Sequence, residues 1–278
     1  MTKPDHLRRR WRVLLAGLGV LISLADRAEA LSVSPSRVVL RAKPKQTQVV
    51  FFTVQNEGGV PVEVRVEPED WAQGIASARG QTAWLTVQPT RVLLKPGNAS
   101  RVKCTVRTPQ EASGELRAQL FFTTETGAGS STMRSRLGAI LYVAIQGTER
   151  LDAAITRVSA HYTPSTPGVE RPDRLDVMLA IHNRSNAHII PGGQVTVRDE
   201  AGQKVATVPL QKGWGLLPNE EDAYHAIGPG IYLKPGRYTL DIRVEYGEDL
   251  QQPMAVTKTV PVTINAQGQL QLLAEGGP

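Results

Sequence analysis

From position 31 onward apolar and polar residues alternate in short runs, and the runs are separated by glycine, proline and asparagine. The clearest run is Val60-Pro61-Val62-Glu63-Val64-Arg65-Val66-Glu67, in which the valines share one face and Glu63, Arg65 and Glu67 the other. A period of two with one polar face predicts a half-buried strand. No stretch sustains the 3.6-residue period of an amphipathic helix. Strands are predicted at 31–41, 48–56, 60–67, 84–94, 100–107, 115–124 and 136–146, with hairpin turns at Asn56-Glu57-Gly58-Gly59 and Lys95-Pro96-Gly97-Asn98. After Gly147-Thr148-Glu149-Arg150 the pattern starts again, at 151–162, 175–183, 194–198, 204–209, 221–227, 236–246 and 254–264. Seven short strands per tract is the layout of an immunoglobulin-like sandwich. The predicted fold class is therefore all-β, two tandem immunoglobulin-like β-sandwich domains over 31–147 and 148–267, with a flexible tail at 268–278.

The first thirty residues do not share this pattern. A basic stretch, Arg8-Arg9-Arg10-Trp11-Arg12, leads into an apolar segment and then Ala28-Glu29-Ala30, the three-part layout of a secretory signal peptide over 1–30. The apolar segment is too short to cross a bilayer as a helix, and no later run is long enough, so membrane insertion is not expected. The expected location is periplasmic. Residues 1–30 hold six basic and three acidic side chains, so the +6 of the whole chain falls to +3 without them. The remaining basic residues are scattered along strands, which gives no footprint for nucleic acid. Cys104, the single cysteine, sits between Val102 and Val106 in an alternating run and reads as a small core residue.

Reactive constellations are missing. The chain has no Gly-x-Ser-x-Gly, no His-Glu-x-x-His, no Cys-x-x-Cys and no phosphate-cradling glycine loop, so neither a catalytic residue, a metal site nor a cofactor is predicted. His182 and His188 flank Asn183-Arg184-Ser185-Asn186, which reads as a turn. Trp71 and Trp84 bracket a segment where alternation lapses, predicted as a loop pinned by buried indoles, and Trp214 is placed at the crease between the domains.

LSVSPSRVVL at 31–40, FFTVQNEGGVPVEVRV at 51–66, Glu69-Asp70-Trp71 and WLTVQPTRVLLKPG at 84–97 together resemble the amino-terminal domain of the periplasmic chaperones of pilus assembly. AIHNRSNAHII at 180–190 is a weaker echo in the second domain. The resemblance implies a protein that binds and stabilises exported subunits, pilins among them, by adding a strand to them, in a system with an outer-membrane usher. It also implies a basic residue in the opening strand that holds the client's terminal carboxylate, and Arg37 stands there. A guanidinium fork suits that task. Where the family has an aliphatic ladder in the last strand, this chain has Ser130, Thr132 and Arg134, which fill no apolar groove. Arg134 and Arg136 are candidates for the second carboxylate anchor. The run Leu137 to Ile145 is apolar on both faces, so Leu137, Ile140 and Tyr142 are the candidates for pairing with a client strand, unless the second domain covers it. The alternative reading is a secreted structural or adhesive module that binds envelope components.

Overall fold

The computed structural model describes residues 30–70, 83–128, 131–165, 172–213 and 215–273, without the side chains of 70 and 126–133. The predicted signal segment before residue 30, Trp71, Ser130, Trp214 and the last five residues lie outside the described residues.

Every regular element among the described residues is a strand, and the strands form two sandwiches. In the first, one sheet has the order β1 (Leu31–Ser34), β3 (Thr47–Asn56), β7 (Ala99–Arg107), β5 (Leu85–Gln88). The facing sheet has the order β2 (Arg37–Ala42), β9 (Ser131–Ile145), β8 (Glu115–Ala128), β4 (Val62–Asp70), β6 (Arg91–Leu94). The alternation is realised along β4, where Val62, Val64 and Val66 are all under 5% exposed and pack with Phe52 and Val102 across the sandwich, but not at Val60, which precedes the strand and is exposed. Full burial of a valine stabilises by roughly 1.5 to 3 kcal/mol. A slip of one residue would drive Glu63 and Arg65 into that core, which fixes the register.

Two predicted strands are each divided. Residues 31–41 form β1 and β2, which belong to different sheets: β1 pairs with β3, and β2 runs parallel to β9. Pro35 lies at the break, and without an N–H it cannot continue the ladder. Residues 84–94 divide in the same way at Pro89 into β5 and β6.

The second sandwich packs β10 (Ala153–Thr163), β11 (Arg174–Asn183) and β14 (Glu221–Pro229) against β13 (Lys204–Pro209), β12 (Gly192–Asp199), β15 (Gly236–Tyr246), β16 (Met254–Ile264) and β17 (Leu270–Leu272). Its core is built from the inward rows of β11, β12 and β15, including Leu179, Ile181, Val197 and Leu240, all fully buried. The predicted tail needs correcting here, because Leu270–Leu272 pairs in register with Val262 to Ile264 of β16.

Equivalent asparagines end β3 of the first sandwich and β11 of the second. Asn56 donates to the carbonyls of Val60 (2.7 Å) and Leu94 (3.1 Å) and accepts from Gly58 N–H. Asn183 donates to Ala187 (2.9 Å) and Leu216 (2.8 Å) and accepts from Ser185 N–H. Both are buried, so each satisfies backbone groups that would otherwise be desolvated and unpaired. Asn183 thereby shapes the turn that faces the first sandwich.

Candidate functional site: the cleft between the sandwiches

The outward row of β9 runs Arg134, Arg136, Gly138, Ile140, Tyr142, Ala144, and its lower end meets the second sandwich. Ala144 joins Ala187 and Leu250 in a small apolar cluster that bridges the two units. Tyr142 is 1% exposed, and its ring stacks on that of His188 with centroids 3.7 Å apart and planes 11° apart. Gly215 allows this approach, since a Cβ there would lie 3.1 Å from the Tyr142 hydroxyl oxygen and 3.3 Å from His188 Cδ2.

His188 is held on both ring nitrogens by carboxylates. Nδ1 pairs with Glu115 Oε2, at the start of β8, and Nε2 lies 2.8 Å from Asp249 Oδ2. Glu115 Oε1 also accepts the His188 backbone N–H at 3.2 Å. Only the imidazolium carries a proton on both nitrogens, so this geometry calls for the charged ring. Burial alone would push its pKa down, but the hydrogen bonds and charges of Asp249 and Glu115 outweigh it and lift the value to about 9. Asp249 shows the reciprocal effect: burial would raise its pKa, and the bond to His188 turns the balance downward.

Two further contacts cross the junction. Arg41 Nη2 reaches the buried Glu149 at 3.3 Å, and Arg41 Nη1 donates to Gln251 at 3.1 Å. The turn after Asn183 docks against the linking segment: Asn186 Nδ2 donates to the Thr148 carbonyl, and its Oδ1 accepts from Arg150 N–H. Gly114, at φ +70°, leaves room for it, since a Cβ there would sit 2.6 Å from the Asn186 carbonyl oxygen.

Beside this clamp opens a cleft of about 760 Å³, with Arg37, Ile140 and Tyr142 on one wall and Leu216, Glu221 and Asp222 on the other. Arg37 begins β2, is exposed, and takes part in no ion pair among the described residues. Its charge reaches the Tyr142 hydroxyl, where it partly offsets the upward push from burial and Glu115.

The six residues singled out from the sequence thus separate. Arg136 is engaged by Glu69 and lies over the Phe121 ring, 3.4 Å from its centroid, and Arg134 Nε is 3.6 Å from Glu125. Both sit on the β8–β9 hairpin away from the cleft, whereas Arg37 borders it. Leu137 faces the core of the first sandwich. Ile140 and Tyr142 cannot offer backbone to a client: β2 occupies one side of them (Arg37↔Ile140, Val39↔Tyr142) and β8 the other. The side chain of Tyr142 is covered by the second sandwich, through His188. What β9 leaves open is its upper part. Register with β2 covers only Ile140 to Ile145, so among the described residues 131–139 has β8 on one side and no strand on the other.

Glu115, His188 and Asp249 carry no signal in the sequence as a group. They are 73 and 61 positions apart and meet only because the two sandwiches meet. The sole local hint was the NRSNAH turn, read for its histidine spacing.

No protein-family model matches the chain, and no curated protein does. Fimbrial periplasmic chaperones recur among the solved structures similar to it. The Pseudomonas aeruginosa CupB2 chaperone is 14% identical over 82% of this chain and 99% of that one, with a TM-score of 0.41. The class 5 fimbriae chaperone CfaA is 11% identical over 82% and 99%, with a TM-score of 0.44. The Salmonella enterica SafA pilin in complex with the SafB chaperone gives 12% identity over 82% and 96%, with a TM-score of 0.42. No residue role transfers at these identities, and the site is read from this chain's own geometry.

Proposed function

We propose that this protein is a non-enzymatic, chaperone-like binding protein of the periplasm that holds exported subunits through the open edge of β9 and through Arg37. The observation that carries this reading is the juxtaposition at the top of β2. There the covered part of β9 ends, nine residues of strand continue without an outer partner among the described residues, and the exposed guanidinium of Arg37 faces the cleft. An extended client segment supplies the missing backbone donors and acceptors along 131–139, the mode by which sheet edges capture strands. Its terminal carboxylate lies against Arg37, where a planar fork takes both oxygens.

The sequence at Ser130, Thr132 and Arg134 shifts the source of affinity. Side chains of that kind bury little apolar surface, so main-chain pairing and the carboxylate contact carry the binding. Pilins are the client class that the sequence resemblance suggests, with an outer-membrane usher receiving the complex.

Two versions of one alternating apolar peptide, with a free and an amidated carboxyl terminus, test the reading by calorimetry. The free acid is expected to bind at least tenfold more tightly, the equivalent of about 1.4 kcal/mol for one charged hydrogen-bonded contact. Arg37→Gln, with folding checked by circular dichroism, erases the difference. Equal binding of the two peptides to the unaltered protein overturns the assignment.

A further inference from the structure

The outer face of the five-stranded sheet holds a second feature, remote from Arg37 and from the clamp. Strand register aligns Arg91 of β6, Arg65 of β4, Thr123 of β8 and Arg136 of β9 in one cross-strand row. A pocket of about 190 Å³ opens over it, lined by Arg65, Arg91, Thr123, Glu63 and Glu125. Thr123 is 3% exposed, and neither its Oγ1 nor the buried Nε of Arg65 has a hydrogen-bond partner.

The charges around the pocket are already matched in pairs, with one exception. Arg91 faces Glu63 at 3.5 Å, Arg134 faces Glu125 at 3.6 Å, and Arg136 is taken by Glu69. Arg65 joins no ion pair among the described residues and lies directly opposite Thr123. A desolvated guanidinium N–H beside a desolvated hydroxyl, both without acceptors, is costly unless an acceptor is supplied. The Nε–H edge of a guanidinium takes a carboxylate side-on, with two oxygens on two parallel N–H groups, and the Thr123 hydroxyl stands beside it as a third donor. Glu63 and Glu125, each paired with an arginine, flank the position and oppose a dianion more strongly than a monoanion, which favours a single carboxylate over a phosphate dianion.

We infer that Arg65 and Thr123 form a binding site for one carboxylate on the outer face of β4 and β8, independent of the cleft that holds Arg37. The carboxylate comes either from an acidic side chain of a protein partner or from a small free acid. Solution NMR of the full protein, following the Arg65 Nε–H and the Thr123 amide, tests it with two probes: acetate, and a peptide with blocked ends and one internal glutamate. Saturable shifts at both positions are expected, beyond those produced by sodium chloride at equal ionic strength. Arg65→Lys keeps the charge and removes the fork, and Thr123→Val keeps the shape and removes the hydroxyl. Each is expected to weaken binding roughly tenfold or more. Saturation by the peptide identifies a docking point for a partner, and saturation by acetate alone identifies a small acid; both support the site. Shifts no larger than chloride gives with both probes overturn it, as does undiminished binding in Arg65→Lys.

Discussion

Raising the pH should loosen the junction between the two sandwiches, and His188 sets where this happens. Its folded pKa of about 9 lies above the ordinary 6.5, so the proton is bound more tightly in the folded protein than in the unfolded chain. The resulting stabilisation is complete below about pH 6.5 and is lost progressively as the pH rises through 9. At 1.36 kcal/mol per pKa unit it amounts to something on the order of 3 kcal/mol. Asp249 works in the opposite direction: its lowered pKa adds stability above the ordinary 3.8, which is lost as the pH falls into the acid range. The clamp is therefore strongest in mildly acidic solution. Urea unfolding between about pH 6 and pH 10 measures the loss, and small-angle scattering over the same range follows the separation of the two units. His188→Gln has both of its side-chain donors on a single uncharged nitrogen, in place of one on each side of the ring, and cannot titrate, so its stability should lack this part of the pH dependence. It should also be less stable near pH 6, where the unaltered protein has the full benefit of the charged ring and the variant has only a neutral amide beside Glu115, whose side chain is 1% exposed. A pH profile of the unaltered protein that runs parallel to that of His188→Gln across the interval would refute the argument.

Two other outcomes follow from single residues. Asn183→Ala leaves the carbonyls of Ala187 and Leu216 and the Ser185 N–H without their partner. Urea denaturation should show a loss of about 2 to 4 kcal/mol, and a loss below about 1 kcal/mol would mean that the turn finds other partners. Cys104 is fully buried, and burial pushes its thiol up to about 12. A maleimide should leave the folded protein unmodified at neutral pH and react quickly once the chain is unfolded; labelling without denaturant would show that the first sandwich opens readily.

The strand pattern was legible in the sequence because burial on one face imposes a period of two. Val62, Val64 and Val66 announced their side of the sheet before any partner was known, and so did the inward set of β11 from Leu175 to Ile181. The breaks at Pro35 and Pro89 were missed, since strands were predicted straight through both: that β1 and β2 belong to opposite sheets depends on which strand each finds, a long-range choice with no local record. The two apolar faces of 137–145 were likewise visible, with the cover left open between a client and the second domain. Tertiary structure divided the strand. Tyr142 and Ala144 pack under the second sandwich, Ile140 borders the cleft, and the strand beyond has no outer partner among the described residues because β2 stops short of it.

By itself, then, the sequence determined an all-β chain of two sandwiches, the faces that form their cores, and Arg37 as a cation worth watching. Only the folded molecule decided that Arg134 and Arg136 are matched to Glu125 and Glu69 while Arg37 and Arg65 join no ion pair among the described residues. It also brought Glu115, His188 and Asp249 together at the junction. Periodicity records which side of a strand is dry, because burial acts on each residue where it stands. Ion pairing and the contact between two sandwiches are properties of pairs distant in the chain, and nothing in local spacing encodes them.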